Sequence, residues 1–351
     1  MTAVPTQSPL QAAIVKLAHH SALTAADAAE AFGVIMRGEA TTVQIAAMLT
    51  GLRVRGETSE IVAGVVRALR QVMVHLEATD PDSLVDTCGT GGGAVTTFNI
   101  STAAALLAAG AGVRIAKHGN RSFTSRCGSA DVLEALGVRI EVPVATMAAT
   151  LESTGIVFMF APLMHPAMRH VGPVRRELAI PTVMNVVGPL ANPAGARRQV
   201  VGVADPNRVP VLAGALLELD SLHSLVVHGE PGLDEISPLG PTSVVEVRDG
   251  RATEWTIDPA EFGYSDLTAD ALAGGDSADN ARIIVEILDP GQAQSDRSAG
   301  RAAVVMNAAA AIYVSGNVSS YSEGVELARQ ALERGDGIRA LDRLRAAYAA
   351  G

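Results

Sequence analysis

The sequence is poor in aromatic residues, in cysteine and in positive charge, and each shortage excludes something. Only 3% of its 351 residues are Phe, Trp or Tyr, while 48% are hydrophobic. The interior must therefore be built from Ala, Val, Leu, Ile and Met, a composition suited to closely packed helices. Two cysteines, Cys88 and Cys127, make no disulfide framework and lack a CxxC metal spacing. They read as reduced thiols, which fits the cytosol. Basic residues number 27 against 37 acidic ones, a formal net charge of −10. Nucleic-acid binding needs clustered Lys and Arg to neutralise phosphates, so no nucleic-acid partner is expected, although a local basic pocket for a small anion is compatible with this balance. Charged residues make up 18%, below the average of roughly 25%, which argues against long disordered stretches. The longest uncharged runs contain Gly, Pro, Asn or His, and none reads as a membrane span of about 20 apolar residues. Residues Met1 to Leu10 lack the basic-then-apolar pattern of a signal peptide. A cytoplasmic location without membrane contact is the expectation.

What is present divides the chain in two. The first 77 residues read as four helices. Ser8 caps one running to about His19; Thr24 opens a second that ends near Gly38; Thr41 or Thr42 starts a third, ended by Gly56. Ser59 starts a fourth, with Ile61, Val62, Val65, Val66, Leu69 and Val72 at helical spacing. Their apolar surplus implies that they cover a second domain or a second subunit. Beyond residue 77, strands at 84–88, 113–116, 139–142, 156–160, 199–203 and 224–228 alternate with helices at 99–110, 129–136 and 210–219. Such alternation predicts an α/β fold with a mostly parallel sheet. Residues 164–190, rich in Pro, His and Arg, interrupt it with a helix near 174–178. Segments 243–247 and 253–257 read as an antiparallel hairpin, and two or three amphipathic helices follow from Arg301. The expected organisation is a small helical domain, 1–77, with a later helical insertion near 164–190, and a large α/β domain, 78–351.

Four segments carry chemistry. In Asp86 to Thr102, four glycines within residues 89–93 follow an apolar strand and precede Asn99-Ile-Ser101-Thr102 at a helix entry. Glycines let backbone N–H groups approach a phosphate, and a helix start favours anions. The loop is neither a Walker A motif nor GxGxxG. The second segment, Lys117 to Asp131, places three cations and five hydroxyl or amide side chains in residues 117–129, at the end of the next strand. Ligands bind at the C-terminal ends of parallel strands. The third is Asp234-Glu235, adjacent acids after a strand and a Gly/Pro turn, which can hold Mg²⁺ or simply lie on a surface. The fourth runs from His165 to Pro193. There Arg175 can meet a carboxylate in a two-pronged contact or sit in an ordinary surface ion pair.

Together these segments resemble the anthranilate phosphoribosyltransferases of tryptophan biosynthesis. The matches are GTGG followed by TFNIST, KHGNRS, GSADVLEALGV, HPAMRHVGPVRREL, the N-x-x-GPLxNP run and GLDE, in that order over most of the chain. The resemblance implies a homodimer formed through the helical domain. It implies phosphoribosyl pyrophosphate as donor, anthranilate as acceptor, and one or two Mg²⁺ ions. Donor-binding positions would be Gly89, Gly92, Gly93, Thr97, Asn99, Ile100, Ser101, Thr102, Lys117, His118, Gly119, Asn120, Arg121, Ser122, Ser125 and Ser129. Gly89, His118, Asn120, Arg175 and Pro189 would hold the acceptor, with Arg175 on its carboxylate. Ser101, Asp234 and Glu235 would hold the metal. No residue is assigned as general acid or base. The sequence departs from the family at Gly93, where the loop usually carries an aspartate that helps to organise the metal–diphosphate end. Two other readings are a pyrimidine nucleoside phosphorylase of the same architecture, which KHGN, GLDE and Arg175 fit poorly, and a binding paralogue without turnover, for which Gly93 alone speaks.

Overall fold

The structure, a computed structural model, describes residues 7–122, 126–292 and 297–350. The N-terminal quarter is four helices, each opened by a hydroxyl side chain that accepts an otherwise unpaired N–H of the first turn. Ser8 caps α1 (Pro9–Ala18), Thr24 caps α2 (Ala25–Met36), Thr41 caps α3 (Thr42–Arg55) and Thr58 caps α4 (Ser59–Arg70).

The chain then alternates. In order come β1 (Leu84–Gly89), α5 (Ile100–Gly110), β2 (Arg114–Gly119), α6 (Ser129–Ala135), α7 (Val144–Thr154) and β3 (Ile156–Phe160). The insertion contributes α8 (Ala161–Met164), α9 (Gly172–Leu178) and α10 (Met184–Leu190). Next follow β4 (Arg198–Gly202), α11 (Val209–Glu218), β5 (His223–Gly229), β6 (Thr242–Arg248) and β7 (Arg251–Ile257). The last helices are α12 (Ser277–Leu288), α13 (Ser298–Ser315), α14 (Tyr321–Glu333) and α15 (Asp336–Ala350). The seven strands form one sheet, ordered β3-β2-β1-β4-β5-β6-β7, parallel from β3 to β5 and antiparallel at β6 and β7. The expected small helical segment and larger, mostly parallel α/β part are both present.

The expected strand at 139–142 is not formed. Val138, Ile140 and Val142 are buried alternately with exposed neighbours, as in a strand, yet the segment pairs with no strand among the described residues. The sheet ends at β3, where the Tyr348 hydroxyl of α15 accepts the Phe158 N–H at 3.2 Å and donates to the Phe158 carbonyl at 2.8 Å. That edge position is therefore closed to a further strand.

Two apolar cores lie on opposite faces of the sheet. Val200, Leu225, Val227 and Val244 join α5 and α12–α15 in one. Val201, Val203, Val226, Val245 and Val247 join α1–α4 and α9–α11 in the other. Successive strand residues point to opposite faces, so one sheet serves both cores. The apolar surplus of the N-terminal helices is absorbed there, with α4 packed on α11 and α10.

Candidate active site

Strand order reverses between β1 and β4, and such a switch opens a crevice above the strands' C-terminal ends. Gly89 and Gly202 are paired at those ends, and the Thr90 N–H donates to the Gly202 carbonyl at 2.9 Å. Gly91 and Gly92 then take φ of +69° and +84°, a left-handed turn that costs glycine little. The turn aims the Gly91 N–H at Asp234 Oδ2, 2.7 Å away. At the entry to α5 the Ser101 N–H donates to Glu235 Oε1 at 3.1 Å. The glycine loop and the acidic pair, distant in sequence, thus close on one place.

The acidic pair reaches it by a tight turn after β5, closed by Gly229 and Leu233. The backbone then crosses β4 so closely that any side chain at Gly202 would collide with the Asp234 carbonyl. Burial raises the Asp234 carboxyl above its ordinary range, with the Gly91 N–H opposing. Burial, and then the neighbouring Asp234, push Glu235 up to about 8, against the pull of Lys117. Two carboxyl groups this short of positive charge form a set of hard oxygen donors, completed by the Ser101 hydroxyl beside Glu235. They fit Mg²⁺, which takes one or two carboxylates and draws its remaining ligands from water and phosphate. Among the described residues no group of three acids, histidines or cysteines gathers to make an all-protein cage. A Cβ at Gly93 would stand 3.4 Å from Asp234 Oδ1. The family's acid at this position would be a third carboxylate beside the pair; glycine leaves the pair alone.

The second wall is β2, which runs on through Lys117, His118 and Gly119, beyond its expected end at residue 116, because all three continue the pairing with β3. Lys117 is 4% exposed. Its ammonium donates to the Thr87 carbonyl at 2.6 Å and Thr87 Oγ1 at 3.3 Å, with Ser101 Oγ at 3.5 Å. It therefore supplies charge from beneath the glycine loop. The His118 N–H donates to Asp86 Oδ1 at 3.1 Å, and its ring lies against the Gly188 carbonyl and 4.8 Å from the His165 ring. Burial, then His165, push His118 down to about 3, and burial pushes His165 down to about 4. Both imidazoles are neutral at neutral pH. Asp86 is fully buried and raised to about 6 by burial, with Lys117 opposing.

Beyond the strand, the Asn120 carbonyl accepts from the Ala130 N–H at 3.1 Å and the Ser129 hydroxyl at 3.3 Å. Asp131 receives the N–H groups of Ser122 and Gly128 at 3.1 and 2.8 Å. Arg121 directs its guanidinium to Asp131 and Glu134. Ile100 is 1% exposed, so only its backbone can meet a ligand. The Thr102 hydroxyl is buried without a partner among the described residues. Thr97 is half-buried just before α5. Asn99 bridges two segments, accepting from Asn280 at 2.9 Å and donating to the Cys127 carbonyl at 3.2 Å. Ser125 lies outside the described residues.

At the other end, Arg175 on α9 is half-buried and its guanidinium has no hydrogen-bond or ion-pair partner among the described residues; burial lowers its pKa. A partly dried, uncompensated guanidinium is a receptor for a carboxylate. The Pro189 carbonyl accepts from Gln199 Nε2 at 2.8 Å and from the Cys88 thiol at 3.6 Å. Through Gly188 and His165 the insertion is packed onto His118. Sequence reasoning assigned no role to the buried amides behind these walls, although Asn192 stands in the GPLxNP run. Asn192 donates to Asp86 Oδ2 and to the Ala116 carbonyl, both at 2.8 Å, Asn280 braces Asn99, and Asn307 pairs with Ile236. The available signal was a lone amide inside otherwise apolar helix text, as in Val305-Met306-Asn307-Ala308.

Comparison with known proteins matches residues 81–338 to the α/β domain of a glycosyl transferase family and residues 11–73 to that family's helical bundle domain. A protein of Rubrobacter xylanophilus named anthranilate phosphoribosyltransferase is 50% identical over 334 residues, covering 95% of this chain and 96% of the relative. The crystal structure of anthranilate phosphoribosyltransferase from Thermus thermophilus superposes with a TM-score of 0.89 at 41% identity, covering 96% and 99% of the two chains. The Saccharomyces cerevisiae enzyme in complex with PRPP and Mg matches with a TM-score of 0.88 at 28% identity, covering 99% of each chain. In complex with 4-fluoroanthranilate it matches at 0.87 and 26% identity, again over 99% of each chain. With half its residues identical to one such enzyme and its fold shared end to end, the chain belongs to the anthranilate phosphoribosyltransferase family.

Proposed function

We propose that the protein transfers the 5-phosphoribosyl group from phosphoribosyl pyrophosphate to anthranilate, releasing diphosphate and N-(5-phosphoribosyl)anthranilate in tryptophan biosynthesis. The observation that carries this reading is the closure of the glycine loop on Asp234 and Glu235 at the strand-order switch. The loop N–H groups of Gly92 and Gly93, which have no acceptor among the described residues, donate to phosphate oxygens, and the positive end of α5 adds favourable charge. Asp234, Glu235 and Ser101 would hold Mg²⁺, as one or two ions, and the bound metal would supply positive charge to the diphosphate. Lys117 adds charge from below, and Arg175 fixes the acceptor carboxylate. The amine lone pair then forms the N–C1 bond as the C1–O bond breaks and its electrons leave with diphosphate. Most of the acceleration comes from positioning and charge stabilisation. The nitrogen then gives one proton to the departing diphosphate or to water, and an aromatic amine needs no strong base before attack. A pKa near 3 makes His118 a poor acceptor for that proton.

No helix among the described residues is long and apolar enough to cross a membrane, in keeping with a cytoplasmic enzyme. Val43 and Val54 of α3, 76% and 78% exposed, support a homodimer formed through the helical segment. Arg175→Ala, assayed by product fluorescence, should raise the anthranilate KM at least tenfold, the scale of one charged contact, and leave the donor KM nearly unchanged. Equal changes in both would remove Arg175 from the acceptor site.

A further inference from the structure

Asn307 stands behind the acidic pair, outside every motif that marks the site. It lies in α13 and is 3% exposed. Its Oδ1 accepts the Ile236 N–H at 2.9 Å, and its Nδ2 donates to the Ile236 carbonyl at 2.8 Å and the Ala303 carbonyl at 2.9 Å. The amide acts as a one-residue strand partner for the residue directly after Glu235, and its oxygen and both its protons are engaged. The same side chain lines a small enclosed space together with Thr87, Ser101, Gly202 and Glu235. The loop's front contacts are a bare backbone at Gly202 and Gly229, where a Cβ would strike the Asp234 and Glu235 carbonyls. Asn307 holds the loop against those glycines from behind.

We propose that Asn307 is a positioning residue of the metal site. It fixes the Ile236 peptide and so the direction in which Glu235 presents its carboxylate to Ser101 and Asp234. This rests on reading Asp234 and Glu235 as the metal pair. Without the amide, the Ile236 N–H and carbonyl are left unpaired in the interior, and the loop turns to satisfy them elsewhere. Partners one shell out from a metal ligand typically govern metal affinity by about 10- to 100-fold.

The probe is Mn²⁺ alone, with free ion counted by electron paramagnetic resonance as protein is titrated in, without phosphoribosyl pyrophosphate, whose diphosphate would itself bind the ion. Asn307→Ala should raise the Mn²⁺ Kd by about tenfold or more. The anthranilate KM at saturating metal should stay within about twofold. Unchanged Mn²⁺ binding overturns the proposal, whatever happens to turnover or melting. An anthranilate KM that rises in step with the Kd also overturns it, because it marks general loosening. If the alanine variant does not fold, Asn307→Ser, which keeps one hydroxyl contact, should give a smaller shift of the same sign, and no shift is again a refutation. The Asp234→Asn/Glu235→Gln double variant separates the two levels. If it too binds Mn²⁺ normally, the metal assignment itself fails; if it loses Mn²⁺ while Asn307→Ala does not, only the role of Asn307 fails.

Discussion

His165 keeps a titratable ring 5% exposed against His118. Burial holds its folded pKa near 4, below the ordinary value of 6.5. The unfolded chain takes up the proton near pH 6.5 and the folded protein resists until about pH 4. This contribution to stability is therefore complete above pH 6.5 and is lost as the pH falls through that window. One proton corresponds to about 1.4 kcal/mol per pH unit. His165→Asn should flatten the decline of unfolding free energy between pH 6.5 and 4 by about that slope, measured by denaturant titration at several pH values. An unchanged slope would mean that the ring is not kept neutral by the fold. At this scale the sequence was legible where chemistry is local, as in the loop glycines with the polar helix entry behind them, while the Asp234-Glu235 pair read as well as surface acids until the resemblance singled it out. It was mute where a role depends on what a side chain meets across the fold. Arg121 and Lys117 look alike in KHGNR, but one pairs with Asp131 and Glu134 at the surface and the other is buried under Ser101. Nothing around Asn280 or Asn307 announces which backbone each will brace.

Among the elements, β3 shows how an edge is closed without another strand. Tyr348 reaches from α15 to both polar groups of Phe158. Tyr348→Phe would leave a buried N–H and a buried carbonyl unpaired, a cost of about 1–3 kcal/mol each. A loss of at least about 2 kcal/mol is expected from denaturant titration, and a change within error would show that the edge finds other partners. The same contact explains the one strand that was misread. Residues 138–142 have the right alternation, but alternation records burial on one side, and any extended connector lying on a core produces it. The caps of α1 and α2 were readable because a Ser or Thr before an apolar period satisfies its own helix; at α3 the choice lay open between Thr41 and Thr42, and at α4 the cap is Thr58, one residue before the expected Ser59. No helix was expected at α7 or α12. α7 begins after Pro143 with no side-chain cap, and α12 starts from Asp276 in a Gly-rich stretch that reads as loop.

For the molecule as a whole, the helical segment and the sheet share a core, and a buried ion pair joins them. Glu57, between α3 and α4, meets Arg208, just before α11, at 2.9 Å, with side chains 7% and 14% exposed. Burial raises Glu57, and Arg208 opposes the shift. Arg208→Gln strands the carboxylate and should cost about 3 kcal/mol. Trp255 is the single tryptophan and lies on β7, so its fluorescence reports the sheet while far-ultraviolet circular dichroism reports mainly helices. Both signals should fall in one coincident, lowered transition. A helical transition that separates from the tryptophan signal would show that the shared core does not couple the two parts.

The division of β4–β6 between two cores gives the protein a kind of reading frame. Val200 faces one core and Val201 the other, directly before Gly202 passes beneath Asp234. Insertion or deletion of one residue there would exchange the faces and slide a side chain under the acidic loop, so stability and the metal pair would be lost in the same step. Even the two-residue turn between β6 and β7 is bound by this phase, because Arg248 pairs with Arg251 directly across Asp249-Gly250.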